Sequence, residues 1–135
     1  MNTLDKAESI YKSANIEISF DAETKIMYCK WIGLQNKDGI MKAGGIILEL
    51  LRERRITKVL NDNTEVIGPW NDAAEWTVKE WFPSMIEAGL KHFSWIISSN
   101  IFSEISAKMA MPDTEVIQSF YFYAEALHWL LSKDE

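Results

Sequence analysis

The sequence is poor in the residues that hold small folds together covalently or through a metal ion. It contains one cysteine, Cys29, and two histidines, His92 and His128. A single cysteine excludes an intrachain disulfide and any zinc site built from several cysteines. Neither histidine belongs to an HxxE or HxxxH motif. The sequence therefore predicts no metal ion and no cofactor, and the thiol is expected to be buried and unreactive.

The chain also lacks long apolar runs and an excess of positive charge. No run approaches the roughly 18 apolar residues of a membrane-spanning helix, and the acid-containing N-terminus has no apolar core of the signal-peptide type. The formal net charge is −6, from 14 basic and 20 acidic residues. Binding to nucleic acid needs a basic face. We therefore expect a cytoplasmic protein with no integral membrane segment and no nucleic-acid partner.

What the chain does have is the composition of a folded domain. Hydrophobic residues make up 47% of its 135 residues and charged residues 25%, which excludes a disordered chain. No repeat, low-complexity tract or linker divides the sequence, so residues 1–135 are expected to form a single domain. Residues 1–15 are polar, and they are predicted to be loosely ordered or to form a short helix.

Hydrophobic periodicity predicts an α/β fold. Strands are expected over 16–20, 25–32, 57–62, 92–98 and 115–120. Helices are expected over 36–55, from about 70 to 89 with a break at Pro83, over 101–110 and over 122–133. This order predicts a mixed, mostly parallel five-stranded sheet with an N-terminal antiparallel hairpin and helical crossovers. Gly44 and Gly45 lie inside the first helix, where glycine is unfavourable, so we expect that helix to pack closely on the sheet.

Polar residues follow the predicted strands at the edge where α/β sheets bind ligands. The stretch 61–69 is expected to be a polar loop, and Ser99 and Asn100 follow the next strand. The candidate ligand-binding or partner-binding residues are Asn61, Asp62, Asn63, Thr64, Ser99 and Asn100. The alternative is that these side chains only form turns and cap helices.

Two nearby carboxylates raise the question of catalysis. Asp62 could perform acid–base chemistry with Glu65 or Asp72 if one carboxylate were removed from water. No nucleophile, base and orienting group accompany them. A turn or capping role for Asp62 is therefore favoured, and no catalytic residue is predicted.

Tryptophan is unusually frequent, with six in the chain. Three fall on expected core positions, namely Trp31, Trp81 and Trp95. The remaining three are candidates for an exposed interface, because tryptophan is common at protein–protein contacts. These interface candidates are Trp70, Trp76 and Trp129.

Several short stretches between residues 16 and 132 carry a family resemblance. They are Trp31-Ile32-Gly33, VLND at 59–62, Trp76, the Phe82-Pro83 break, Gly-Leu-Lys at 89–91 and EALHWLL at 125–131. In these features the chain resembles the SpoIIAA-like group of STAS-type domains, named for sulfate transporters and anti-sigma factor antagonists and related to CRAL-TRIO lipid-binding proteins. The resemblance implies a small regulatory or binding domain that is not an enzyme.

The resemblance also bears on phosphorylation. In anti-sigma factor antagonists a phosphorylatable serine follows the third strand, at the start of the next helix. The matching stretch here is Asn63-Thr64-Glu65, which has no serine. Thr64 is therefore the one candidate phosphorylation site in this stretch.

Two functions are expected from these observations. The first is a STAS-like module that binds a protein partner or a second copy of itself as a homodimer. The alternative is a protein that binds a small polar molecule or a lipid through the loops at the carboxyl ends of the strands.

Overall fold

A six-stranded mixed sheet runs through the computed structural model, which describes residues 4–134. The strands are β1 (Glu8–Lys12), β2 (Ile16–Asp21), β3 (Ile26–Leu34), β4 (Lys58–Ile67), β5 (His92–Ile96) and β6 (Ile117–Phe120). The helical elements are α1 (Lys37–Arg54), the composite α2 (71–87), α3 (Ile101–Met109) and α4 (Tyr123–Leu131). Within residues 4–134, no helix is both long and apolar enough to span a membrane.

The strands lie in the sheet in the same order as in the chain. β1, β2 and β3 pair antiparallel, whereas β3, β4, β5 and β6 pair parallel. The predicted α/β fold and N-terminal hairpin are confirmed. The predicted count of five strands is wrong, because residues 8–12 form a strand instead of a loose segment or a helix. This strand covers the outer edge of β2, whose backbone groups would otherwise lack partners.

The two faces of the sheet are covered unequally. Side chains from α1, α2 and α3, such as Ile47, Phe82 and Ala107, share one apolar core. α4 packs on the opposite side, where Ala126 and Leu130 join a separate, smaller core. We call these sides the three-helix face and the one-helix face. Parallel strands joined by right-handed crossovers in one direction place the connecting helices on a single side, which explains the imbalance.

The composite α2 changes its winding along its length. It comprises a 3₁₀ turn (Asn71–Ala73), an α-helical turn (Ala74–Trp76), a π-helical turn (Thr77–Trp81) and a final α-helical stretch (Phe82–Glu87). The π turn directly precedes Pro83, which cannot donate a backbone hydrogen bond. The predicted break at Pro83 is therefore confirmed, as a change of winding within one segment.

Close packing explains one of the two adjacent glycines, Gly44 and Gly45, in helix α1. Its N-cap is Asn36, whose side chain accepts a hydrogen bond from the Gly39 backbone at 2.7 Å. A Cβ on Gly44 would lie 2.7 Å from Trp76 of α2, whereas a Cβ on Gly45 would meet nothing within 4 Å. Close packing is thus confirmed at Gly44, but its partner is α2 and not the sheet.

Strand β4 is longer than predicted. The stretch 61–69 was expected to be a polar loop, yet residues 61–67 belong to the strand. β3 also continues to Leu34, so Gly33 pairs with Val66 and Leu34 with Ile67. A strand continues while its neighbour offers backbone partners, even through polar residues.

Candidate functional site: a tryptophan-lined pocket

A small pocket lies on the three-helix face, near the carboxyl ends of the parallel strands. It contains about 30 Å³ of space accessible to a water-sized molecule. Four indole rings and two side-chain amides form most of its wall, from Trp31, Trp70, Trp81, Trp95, Asn61 and Asn63. The pocket has no room for an acyl chain, so it gives no support to the lipid-binding alternative.

The register of the sheet brings the strand residues of the pocket together. Asn61 pairs with Trp95 on β5 and with Cys29 on β3. Because side chains alternate along a strand, Trp31 lies on the same face as Cys29, and Asn63 on the same face as Asn61. Cys29 is fully buried beneath this face, and burial raises the pKa of its thiol. The expected burial of the thiol is confirmed.

Two of the four indole N–H groups have protein acceptors. Trp31 donates to the side-chain oxygen of Asn61 at 2.7 Å, and Trp81 donates to the backbone oxygen of Gly44 at 2.8 Å. The rings of Trp31 and Trp81 meet edge-on, with centroids 6.5 Å apart. These contacts fix one side of the pocket.

The other two indoles and one amide oxygen lack partners. Among residues 4–134, no hydrogen-bond partner is found for Nε1 of Trp70, Nε1 of Trp95 or Oδ1 of Asn63. The three residues are 4%, 2% and 5% exposed, respectively. A buried polar group without a partner costs about 1–3 kcal/mol, and such groups are uncommon in folded proteins. Three of them on the wall of one cavity mark it as a candidate binding site.

Access to the pocket is beside Gln35. Of the residues that line the cavity, Gln35 alone is not buried. Its side chain is fixed by hydrogen bonds to Asn15, at 3.1 Å between the two amides, and to the backbone oxygen of Ile32 at 3.0 Å. The pocket wall is therefore most exposed at Gln35, between the end of β3 and the start of α1.

Asp62 belongs to the opposite face. Its carboxylate accepts a hydrogen bond from the Tyr28 hydroxyl at 2.5 Å and from the backbone N–H of Thr64 at 2.9 Å. Burial, followed by this hydrogen bond to Asp62, raises the pKa of Tyr28. Asp62 is 4% exposed and engages both carboxylate oxygens within the fold.

The carboxylates considered for catalysis do not converge on one site. Glu65 forms an ion pair with Lys30 at 2.7 Å, with both side chains partly exposed. Asp72 is exposed at the start of α2, on the three-helix side. In the part of the chain that the structure describes, no group of three or more His, Cys, Asp or Glu residues is arranged to hold a metal ion.

The remaining polar candidates lie at the surface or cap a helix. Thr64 and Ser99 are exposed. Asn100 is the N-cap of α3, where its side-chain oxygen accepts from the backbone N–H groups of Ser103 and Gly68, each at 3.2 Å. Thr64 lies within β4, and not at the start of a helix as the family resemblance implies for a phosphorylated residue.

The three interface tryptophans differ in exposure. Trp70 is buried in the pocket wall, and its backbone N–H donates to Ser106 of α3 at 2.8 Å, so it is removed from the interface candidates. Trp76 is half-buried and stacks on Trp81. Trp129 is half-buried on α4, where its ring meets His92 edge-on. The prediction that Trp70 is an exposed interface residue is wrong, because α3, which is distant in sequence, packs over it.

A surface feature missed in the sequence surrounds the carboxyl ends of the strands. Its large apolar side chains are all exposed, and together we call them the apolar rim: Leu34, Ile67, Ile101, Phe102, Tyr121 and Phe122. Leu34 pairs with Ile67 in the sheet. The Tyr121 hydroxyl donates to Glu104 of α3 at 2.6 Å, which joins β6 to α3. The adjacent pairs Ile101-Phe102 and Tyr121-Phe122, each following a strand end, were the available signal.

Comparisons with known proteins leave the family unassigned. No family model, no curated protein and no solved structure matches the chain. The STAS-type resemblance and the expected lack of enzymatic activity therefore stay predictions.

Proposed function

We propose that the chain is a cytoplasmic, STAS-like regulatory module that binds protein without catalysing a reaction. Its binding surface is the apolar rim, and its partner is a second copy of the same chain. The observation that carries this proposal is the exposure of large apolar side chains at one end of the sheet. Leu34 is 72% exposed, Phe122 67% and Ile101 63%. Exposed large apolar side chains that cluster in this way commonly mark an interface.

The charges beside the apolar rim are compatible with a second copy as the partner. The whole chain carries a net charge of −6, so two copies repel each other over most of their surface. Near the rim, Glu65 is paired with Lys30, and Glu104 with Tyr121 and, at 3.9 Å, with Lys108. These two acidic side chains each have a basic partner, which lowers the repulsion between two copies that meet at the rim. A two-fold interface needs only one self-complementary patch.

The test is the oligomeric state of the purified protein, measured by sedimentation velocity over a range of concentrations. Phe102→Ser removes an apolar rim side chain that is 59% exposed. Ile86→Ser is the matched control, because Ile86 is an apolar side chain that is 37% exposed but lies in the last turn of α2 and does not belong to the rim. We expect a wild-type dimer, a dimer weakened about tenfold or more by Phe102→Ser, and no effect of Ile86→Ser.

Two results would contradict the proposal. One is a wild-type monomer at every concentration, including a monomer that instead binds neutral lipid vesicles through the rim. The other is a dimer that both substitutions weaken equally, since the contact would then lie elsewhere.

A further inference from the structure

We propose that the tryptophan-lined pocket binds a small neutral amide or urea. The carbonyl oxygen of the ligand accepts hydrogen bonds from the indole N–H groups of Trp70 and Trp95, and its N–H group donates to Oδ1 of Asn63. This proposal goes beyond the dimer and does not depend on it, because none of these residues belongs to the apolar rim.

The hydrogen-bonding groups of the pocket require a ligand that both accepts and donates. Indole nitrogen only donates, so Trp70 and Trp95 need an acceptor. The Asn63 oxygen only accepts, so it needs a donor. All three atoms are buried and without a partner among residues 4–134. An amide supplies a carbonyl oxygen with two lone pairs together with an N–H group.

The charge of the wall selects a neutral ligand. The residues that line the cavity are tryptophan, asparagine, glutamine, threonine, isoleucine and valine, none of which is ionisable. An ion buried here would lack a counter-charge, which is costly. A cation would also face two N–H donors. Carboxylates and ammonium ions are thus disfavoured relative to an amide of the same size.

The size and shape of the pocket limit the ligand further. The accessible space of about 30 Å³ corresponds to a group of a few heavy atoms, since one water needs roughly 10–15 Å³ on this measure. Sugars, nucleotides and acyl chains are too large to be enclosed. A planar amide offers apolar faces to the surrounding indole rings, which a water molecule does not.

Indole N–H signals in ¹H–¹⁵N NMR spectra give a direct test, because each of the six tryptophans contributes one signal. Acetamide is the probe, and acetate is the control of similar size with a negative charge. We expect acetamide to shift the Trp70 and Trp95 signals saturably, while the Trp129 signal on the other face does not move. Acetate should cause no saturable shift.

Substitutions then test each contact. Trp95→Phe keeps an aromatic ring but removes the N–H group, and Asn63→Leu removes the acceptor in a side chain of similar size. Each is expected to weaken acetamide binding about tenfold or more, with the Trp70 signal as readout. Trp129→Phe is the matched control and should bind as the wild type does. If Trp95→Phe does not fold, Asn63→Leu alone tests the contacts with acetamide.

Three results would overturn the proposal. The first is that acetamide causes no saturable shift of the Trp70 and Trp95 signals, and that only bound water contacts these two N–H groups. The second is acetate binding at least as tightly as acetamide. The third is a response of equal size at all six indoles, which would indicate a solvent effect.

Discussion

Neighbouring residues of β4 face two differently built environments. On the one-helix face, the Asp62 carboxylate receives hydrogen bonds from Tyr28 and Thr64. On the three-helix face, the next side chain, Asn63, has an amide oxygen without a partner among residues 4–134 and lies against the cavity. The charged residue Asp62 therefore has a structural role, whereas the neutral amide of Asn63 is available to bind a ligand.

The same contrast appears one strand away. Tyr28 on the one-helix face uses its hydroxyl to complete the Asp62 site. Cys29 on the three-helix face is buried in apolar surroundings, where ionisation of the thiol is disfavoured. On the one-helix face, the charge of Asp62 is stabilised by hydrogen-bond donors from Tyr28 and Thr64. On the three-helix face, the residues that line the pocket are all neutral.

Substitutions at the adjacent β4 residues Asp62 and Asn63 should differ most in their effect on stability. Asp62→Ala leaves the Tyr28 hydroxyl and the Thr64 N–H without an acceptor, and we expect it to lower the free energy of unfolding by about 3 kcal/mol. Asn63→Ala removes an oxygen that has no partner, so its cost should be about 1 kcal/mol or less. Urea unfolding of both variants checks this, with Asp62→Asn as the milder control. Equal losses for Asp62→Ala and Asn63→Ala would contradict the contrast.

The adjacent glycines Gly44 and Gly45 show how closely α1 packs against α2 on the three-helix face. Gly44→Ala places a methyl group 2.7 Å from the Trp76 ring, and we expect a loss of about 2 kcal/mol from overpacking. Gly45→Ala meets open space and should gain up to about 1 kcal/mol from helix propensity. Thermal unfolding measures both. Similar effects of the two substitutions would mean that α1 does not approach α2 as described.

Alkaline pH should lower the free energy of unfolding by a smaller amount, through one residue on each of the two faces. Burial raises the pKa of Cys29, so the folded state keeps a proton that the unfolded chain loses above pH 9. The stabilisation that the protonated Cys29 thiol gives the folded state is complete below pH 9. Above pH 9, the free energy of unfolding should fall by up to about 1.4 kcal/mol per pH unit. The raised pKa of Tyr28 acts in the same direction above pH 10.

The check is urea unfolding of the wild type and Cys29→Ala at several values between pH 8 and pH 11. The difference in stability between the two should narrow as pH rises, because the variant has no thiol to ionise. Tyr28→Phe is the companion variant on the one-helix face, and its effect should begin about one pH unit higher. A constant difference for Cys29→Ala would refute the role of the buried thiol.

Local signals in the sequence were sufficient for much of the fold. The hairpin and the break at Pro83 each depend on residues close together in the chain. The extent of β4 was not predictable in the same way, because it depends on how far β3 continues beside it. Strand β1 was missed since the pattern of residues 8–12 does not alternate cleanly.

The candidate site was only partly predictable for the same reason. The carboxyl ends of the strands were the expected place, and Asn61 and Asn63 were among the expected residues. The pocket also needs Trp31 and Trp70, which come from segments far apart in sequence. The burial of Trp70 depends on the docking of α3, which no local pattern in residues 61–76 reveals.

The decisive measurement is a high-resolution crystal structure of the protein grown with acetamide. The wall of the pocket on the three-helix face holds polar groups without protein partners, whereas Asp62 on the one-helix face has hydrogen-bond donors for both of its carboxylate oxygens. We expect one ordered planar molecule within about 3.2 Å of Nε1 of both Trp70 and Trp95, and an unchanged contact between Tyr28 and Asp62. Indole groups that turn to protein acceptors around an empty cavity would contradict this expectation.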